Sequence, residues 1–90
     1  MAIEVKVPTI LRTYTGGEKA VSGSGDTLGE LLDDVETRNE GIRARVVDGD
    51  ELRRFVNVYV NDEDVRFTGG LGTDVKDGDT VVILPAVAGG

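Results

Sequence analysis

The stretch Asp77-Gly78-Asp79-Thr80-Val81-Val82-Ile83-Leu84-Pro85-Ala86-Val87-Ala88-Gly89-Gly90 reads as four pieces in a fixed order. Asp77-Gly78 is a strong turn pair. Thr80 to Pro85 is a strand with an unbroken apolar run. Such a run implies burial on both faces, or burial on one face with partners covering the other. Pro85 has no N–H to give a sheet ladder and should close the strand. Ala86 to Gly90 is then a tail of small residues, expected to be a mobile arm outside a domain of residues 1–85. Two final glycines carry no Cβ, so they can thread a narrow channel and bring backbone close to a partner. The α-carboxylate of Gly90 is therefore the expected working group. Gly16-Gly17 and Gly69-Gly70 show that the dipeptide alone means little here. Only the last pair follows a strand and tail.

Upstream, the alternation predicts the elements that this strand must join. Ile3, Val5 and Val7 alternate with Glu4 and Lys6, a half-buried strand closed by Pro8. Thr9 to Gly17 is a loop whose Ile10, Leu11 and Tyr14 should pack down. Glu18 to Ser22 is expected as a second strand, hairpinned to the first, with Gly23-Ser24-Gly25-Asp26 breaking it. Thr27-Leu28-Gly29-Glu30 matches a capping box. Leu28, Leu31, Leu32 and Val35 then fall on one face of a helix, with Gly41 expected just past its end. Residues 42–52 read as a turn or short strand. Val56, Val58 and Val60 predict a strand with those valines under the helix. Phe55 and Tyr59 would lie on the other face, a docking surface beside either Val81 and Ile83 or Val82 and Leu84. Asn61 to Asp64 is a turn, and Val65 to Phe67 a short return strand. This order, with one amphipathic helix that the sheet must cover, predicts an α+β fold of the β-grasp type. The expected sheet is mixed, of about five strands, with the last strand beside the first.

Composition narrows the chemistry. Ninety residues allow one small domain. Cysteine and histidine are both absent, so no thiol can act as nucleophile and no imidazole titrates near neutrality. No catalytic side chain and no metal site are expected. The formal net charge of −7 disfavours phosphate backbones and anionic membranes. It is expected to steer the chain toward a basic partner or simply to keep it soluble. No signal peptide or membrane-spanning run is visible, and the lack of cysteine fits a cytoplasmic protein.

Three other motifs are set aside. Gly23-Ser24-Gly25 precedes a helix, but the third glycine of a dinucleotide fingerprint would fall at Leu28. The acidic runs Asp48 to Glu51, Asp62 to Asp64 and Asp74 to Asp79 lack calcium-loop spacing, and Lys76 interrupts the last of them. Ser22 and Ser24 have no histidine to activate them. What remains is a terminal carboxylate that another protein must activate, since this chain has no nucleotide loop.

The terminal run from Asp77 to Gly90 resembles the signature of the ubiquitin-like sulfur carriers. That family includes the thiamine-pathway carrier and the small subunit of molybdopterin synthase. Asn57-Val58-Tyr59-Val60-Asn61 with its acidic turn, together with Leu11-Arg12 and Gly16-Gly17, also fits, and the likeness is greatest to the mycobacterial branch serving cysteine biosynthesis. The resemblance implies that an E1-like enzyme adenylates Gly90 with ATP and that sulfur is installed there as a thiocarboxylate. It implies that Ala86, Val87, Ala88 and Gly89 enter partner active sites. In the cysteine branch a pyridoxal-phosphate cysteine synthase uses the sulfur on an aminoacrylate intermediate. A zinc metallopeptidase then releases the cysteine left on Gly90. The carrier itself would bind no cofactor. The alternatives are carriage of sulfur for molybdopterin or thiamine synthesis, attachment of Gly90 to protein lysines as a ubiquitin-like modifier, and a purely structural interaction domain.

Overall fold

The computed structural model describes residues 2–54 and 56–85. Phe55 and the tail 86–90, with Gly90, therefore lie outside the described residues. Among the described residues, seven strands, two α-helices and three 3-10 turns follow one another. Strands β1 (Ile3–Lys6), β2 (Ala20–Gly23), β5 (Val56–Val60), β6 (Glu63–Asp64) and β7 (Thr80–Pro85) form a five-stranded sheet in the order β2-β1-β7-β5-β6. Strands β3 (Val47–Asp48) and β4 (Glu51–Leu52) form a separate hairpin. β7 runs parallel to β1 and antiparallel to β5, so the mixed β-grasp sheet expected from the sequence is present and the last strand is central.

Helix α1 (Leu28–Glu36) crosses one face of this sheet. Leu28, Leu31, Leu32 and Val35 are each at most 1% exposed. They pack in one cluster with Ile3, Val5, Val58, Val81 and Ile83 of the strands. Burial of side chains this size stabilises by roughly 1.5–3 kcal/mol each relative to exposure. Thr27 is the N-cap, its Oγ1 accepting from the Glu30 N–H at 3.2 Å. Glu30 reaches back one residue further than the motif predicts, accepting from the Asp26 N–H at 2.9 Å. Gly23, expected to break the second strand, is instead its buried last residue. A Cβ there would sit 2.7 Å from Leu31 Cδ1, so the glycine lets the helix lie close on the sheet.

Four expectations are corrected. Residues 42–52 hold a short helix α2 (Ile42–Val46) followed by the β3–β4 hairpin. Gly41 has the expected left-handed φ of 98°, but it opens α2; α1 ends earlier, with Thr37 as its C-cap. Val65–Phe67 is a 3-10 turn in place of a return strand. Asp64 Oδ1 accepts from the Arg66 N–H at 2.9 Å and winds the chain, burying Val65 and leaving Phe67 86% exposed. In the first loop, Thr9–Thr15 is also a 3-10 helix. It buries Leu11 and half-buries Tyr14, whereas Ile10 stands 66% exposed.

Glu36 makes the corner between the helices. Its two carboxylate oxygens accept from the N–H groups of Gly41 and Arg43, both at 2.8 Å. These bonds stabilise the charged form, Gly41 first, and hold the carboxyl below the usual glutamate range. A group whose folded pKa is depressed contributes stability that is present above its unfolded pKa and lost as pH falls through the folded one. Stability should therefore decline on acidification below about pH 4.3, the unperturbed glutamate value. Urea midpoints at neutral and acid pH test this. Glu36→Gln should be less stable at neutral pH and lose less on acidification. An equal acid loss in the variant and the wild type would assign the effect to other carboxylates. One such carboxylate is Asp34, whose pKa is also lowered, first by its hydrogen bond with Arg38.

Candidate functional site

The site is the end of β7, because the chain passes from that strand into the tail. β7 is fixed along both edges. Val81 and Val82 lie opposite Val5 and Lys6 of β1, and the run from Val81 to Pro85 pairs with Val60 to Val56 of β5. Its start is pinned by a buried carboxylate. Asp79, 8% exposed, accepts from Asn61 Nδ2 at 2.9 Å and from the Lys76 N–H at 3.0 Å. Asn61 completes the network by accepting from the Thr80 N–H at 3.0 Å and donating its own N–H to Thr80 O at 2.9 Å. A strand held at its start and along both edges delivers whatever follows Pro85 from a defined point.

The pairing settles which residues share the open face. Val81 and Ile83 are 0% and 2% exposed and face the helix. Tyr59 therefore lies opposite Val82, and Asn57 opposite Leu84, on the other side. Lys6 is the neighbour of Val82 from β1. Of the two readings of the apolar run, the structure gives burial on one face only: Val82 is half-buried and Leu84 is 44% exposed. Tyr59, Val82 and Leu84 thus form an apolar strip on the face without a helix. Contiguous apolar surface of this kind marks interaction sites. Phe55, expected beside Tyr59, lies outside the described residues.

Two further features were missed in the sequence. Arg66 donates to Asn57 Oδ1 and to Val56 O at 2.6 Å, and to Arg53 O at 3.0 Å, clamping the approach to β5. Asp79 reads as a turn residue from its Asp-Gly-Asp context, yet it is the buried anchor. The readable signal was Asn61 at the end of β5, because an amide there can pair with a neighbouring strand. Among the described residues no cluster of acidic or imidazole side chains could hold a metal, and no helix is long and apolar enough to cross a membrane.

The chain is 59% identical, over 93 aligned residues and 100% of both chains, to the sulfur carrier protein CysO of Mycobacterium tuberculosis. It is 34% identical, again over 100% of both chains, to small archaeal modifier protein 3 of Haloferax volcanii. Among solved structures it matches a chain of the Amycolatopsis orientalis BexX/CysO complex with 65% identity and a TM-score of 0.95, covering 99% of this chain and 100% of that one. The model of the ThiS family matches residues 5–90, from the first strand through the tail, and the chain belongs to the ThiS family.

Proposed function

We propose that the chain is a sulfur carrier that presents Gly90 to partner enzymes and catalyses nothing itself. The observation that carries this reading is full-length identity of 59% to a sulfur carrier protein. A central strand that leads into the Gly89-Gly90 segment, in a chain with no cysteine or histidine, supports it. An E1-like enzyme binds the chain, and the Gly90 carboxylate attacks the α-phosphate of ATP. Pyrophosphate leaves and an acyl-adenylate forms. Sulfide then displaces AMP and leaves a thiocarboxylate. The most specific version gives that sulfur to a pyridoxal-phosphate cysteine synthase, with a zinc metallopeptidase releasing the cysteine formed on Gly90. ATP and pyridoxal phosphate belong to these partners. The place of action is the cytoplasm.

A charged chain incubated with the cysteine synthase and its substrate should gain one cysteinyl residue by intact mass, and the metallopeptidase should remove it. A chain that is charged but never gains cysteine would redirect the assignment to thiamine or molybdopterin synthesis. A second reading, conjugation of Gly90 to protein lysines, is favoured by the 34% identity to an archaeal modifier protein. Its signature in the same spectra is a lysine adduct in place of a thiocarboxylate.

The open face supplies the docking surface. Tyr59 stands beside Val82 on it. Contacts made there and in the tail would reinforce each other through effective concentration. Tyr59→Ala should weaken binding to the adenylating enzyme by about 1–2 kcal/mol, the range of a moderate interface aromatic, with the fold retained. Calorimetric titration checks this, and unchanged affinity in a folded variant would remove Tyr59 from the interface.

A further inference from the structure

The net charge of −7 conceals an opposite local charge at the end of β7. Two depressions flank that end and share Pro8 and Ile83. The first, a cavity of about 320 Å³ lined by Ile10, Leu11 and Val56, carries Arg45 and Arg53. The second, about 420 Å³ and floored by Val82 and Leu84, carries Lys6, Arg12 and Lys19 against one acid, Glu4. Together they hold five of the chain's ten lysines and arginines. Among the described residues none of the five is ion-paired; the salt bridges are Arg38–Asp34 and Arg43–Asp33. Arg45 stacks over the Tyr14 ring, 5.9 Å from its centroid. Arg53 and Arg12 donate to the backbone oxygens of Ala44 and Val7. These contacts hold the guanidinium groups of Arg45, Arg53 and Arg12 on neutral partners and supply no counter-charge. Asp48 and Glu51 share a separate depression with Arg53, and further acids, Glu63, Asp74 and Asp79, gather at the start of β7.

We propose that this cationic collar, with exposed Ile10 on its rim, is a docking site for a partner enzyme whose active-site entrance presents carboxylates around an apolar side chain. Apolar floors edged by exposed charges have the anatomy of a protein interface, and charge complementarity names the partner's sign. At this site the proposed partner has the opposite sign to the basic partner that net charge alone suggests. The site reaches beyond the Tyr59 strip, because the Ile10–Arg45–Arg53 cavity opens between the first 3-10 helix, α2 and the paired ends of β5 and β7 at Val56 and Ile83.

The proposal rests on the carrier reading, and its test separates the two. The purified E1-like adenylating enzyme is titrated with the wild type and with Ile10→Asp, Arg45→Glu, Lys6→Glu and Lys76→Glu, each checked for folding by circular dichroism. Lys76 lies at the opposite end of β7 and controls for charge change alone. The three collar variants should each bind about tenfold more weakly, and added salt should weaken the wild type more than Arg45→Glu. Lys76→Glu should stay within about twofold. If the wild type is charged with sulfur while all collar variants bind as it does, or while Lys76→Glu loses as much as they do, the collar is overturned and the carrier reading stands. A wild type that the enzyme neither binds nor charges would overturn both.

Discussion

A chain extended by one residue after Gly90 should form no thiocarboxylate, while its thermal unfolding stays that of the wild type. The proposed chemistry uses a free α-carboxylate at Gly90, the second of two residues without side chains. On that reading, an added residue would move the carboxylate out of register with the partner's nucleotide site. Deletion of Gly90 should be equally inactive. Both changes lie beyond β7 and alter none of the core residues Ile3 to Ile83, so the expected result is a rate loss without a stability loss. In enzyme terms, misplacing a reacting group by one residue forfeits most of the effective molarity that positioning supplies, on the order of 7–11 kcal/mol in the best cases. Mass spectrometry of the reaction with ATP, sulfide and the adenylating enzyme reads the outcome. An extended chain that keeps its extra residue and is charged as fast as the wild type would refute the assignment to Gly90.

The largest stability effect is expected at Leu31. Its side chain is 0% exposed and faces Gly23, where even a Cβ would come within 2.7 Å. Truncation to alanine leaves a cavity with a glycine on the sheet side, which has no side chain to move into it. Leu→Ala changes at such sites cost about 3–5 kcal/mol, against a total of on the order of 5–15 kcal/mol for a domain of this size. The melting temperature should fall by more than about 10 °C. Glu40→Ala, at an exposed position, should change stability by less than about 0.5 kcal/mol. A Leu31→Ala variant within about 1 kcal/mol of the wild type would mean that α1 repacks on the sheet.

How much of this was legible depended on whether the cause was local. The Leu28–Val35 spacing and the Thr27 cap specified α1, because cap and apolar stripe lie within one short segment. The alternation around Val5 and Val58 specified their strands for the same reason. α2 was not legible. Its five residues are too few to show a period, and the acceptor for its first N–H groups is Glu36, supplied by the preceding helix. The Val65–Phe67 turn read as a strand because two of its three residues are apolar; the signal against it was Asp64, a residue type that caps turns. The facing of Tyr59 toward Val82 depended on strand register, which the Asn61–Asp79 network sets from 18 residues apart. The cationic collar was hidden for a further reason. Its five cations come from β1, the first 3-10 helix, the segment before β2, α2 and the segment after β4, so no run in the sequence is basic.

The central claim is that sulfur travels on Gly90. The direct measurement is top-down mass spectrometry of the chain after incubation with ATP, sulfide and the E1-like enzyme, with fragmentation to place the modification. The account predicts the mass gain of one oxygen replaced by sulfur, confined to fragments that contain Gly90, dependent on ATP and lost when the protein is alkylated and hydrolysed. Sulfur on any fragment lacking Gly90, or no sulfur on a chain that the enzyme demonstrably adenylates, would contradict it.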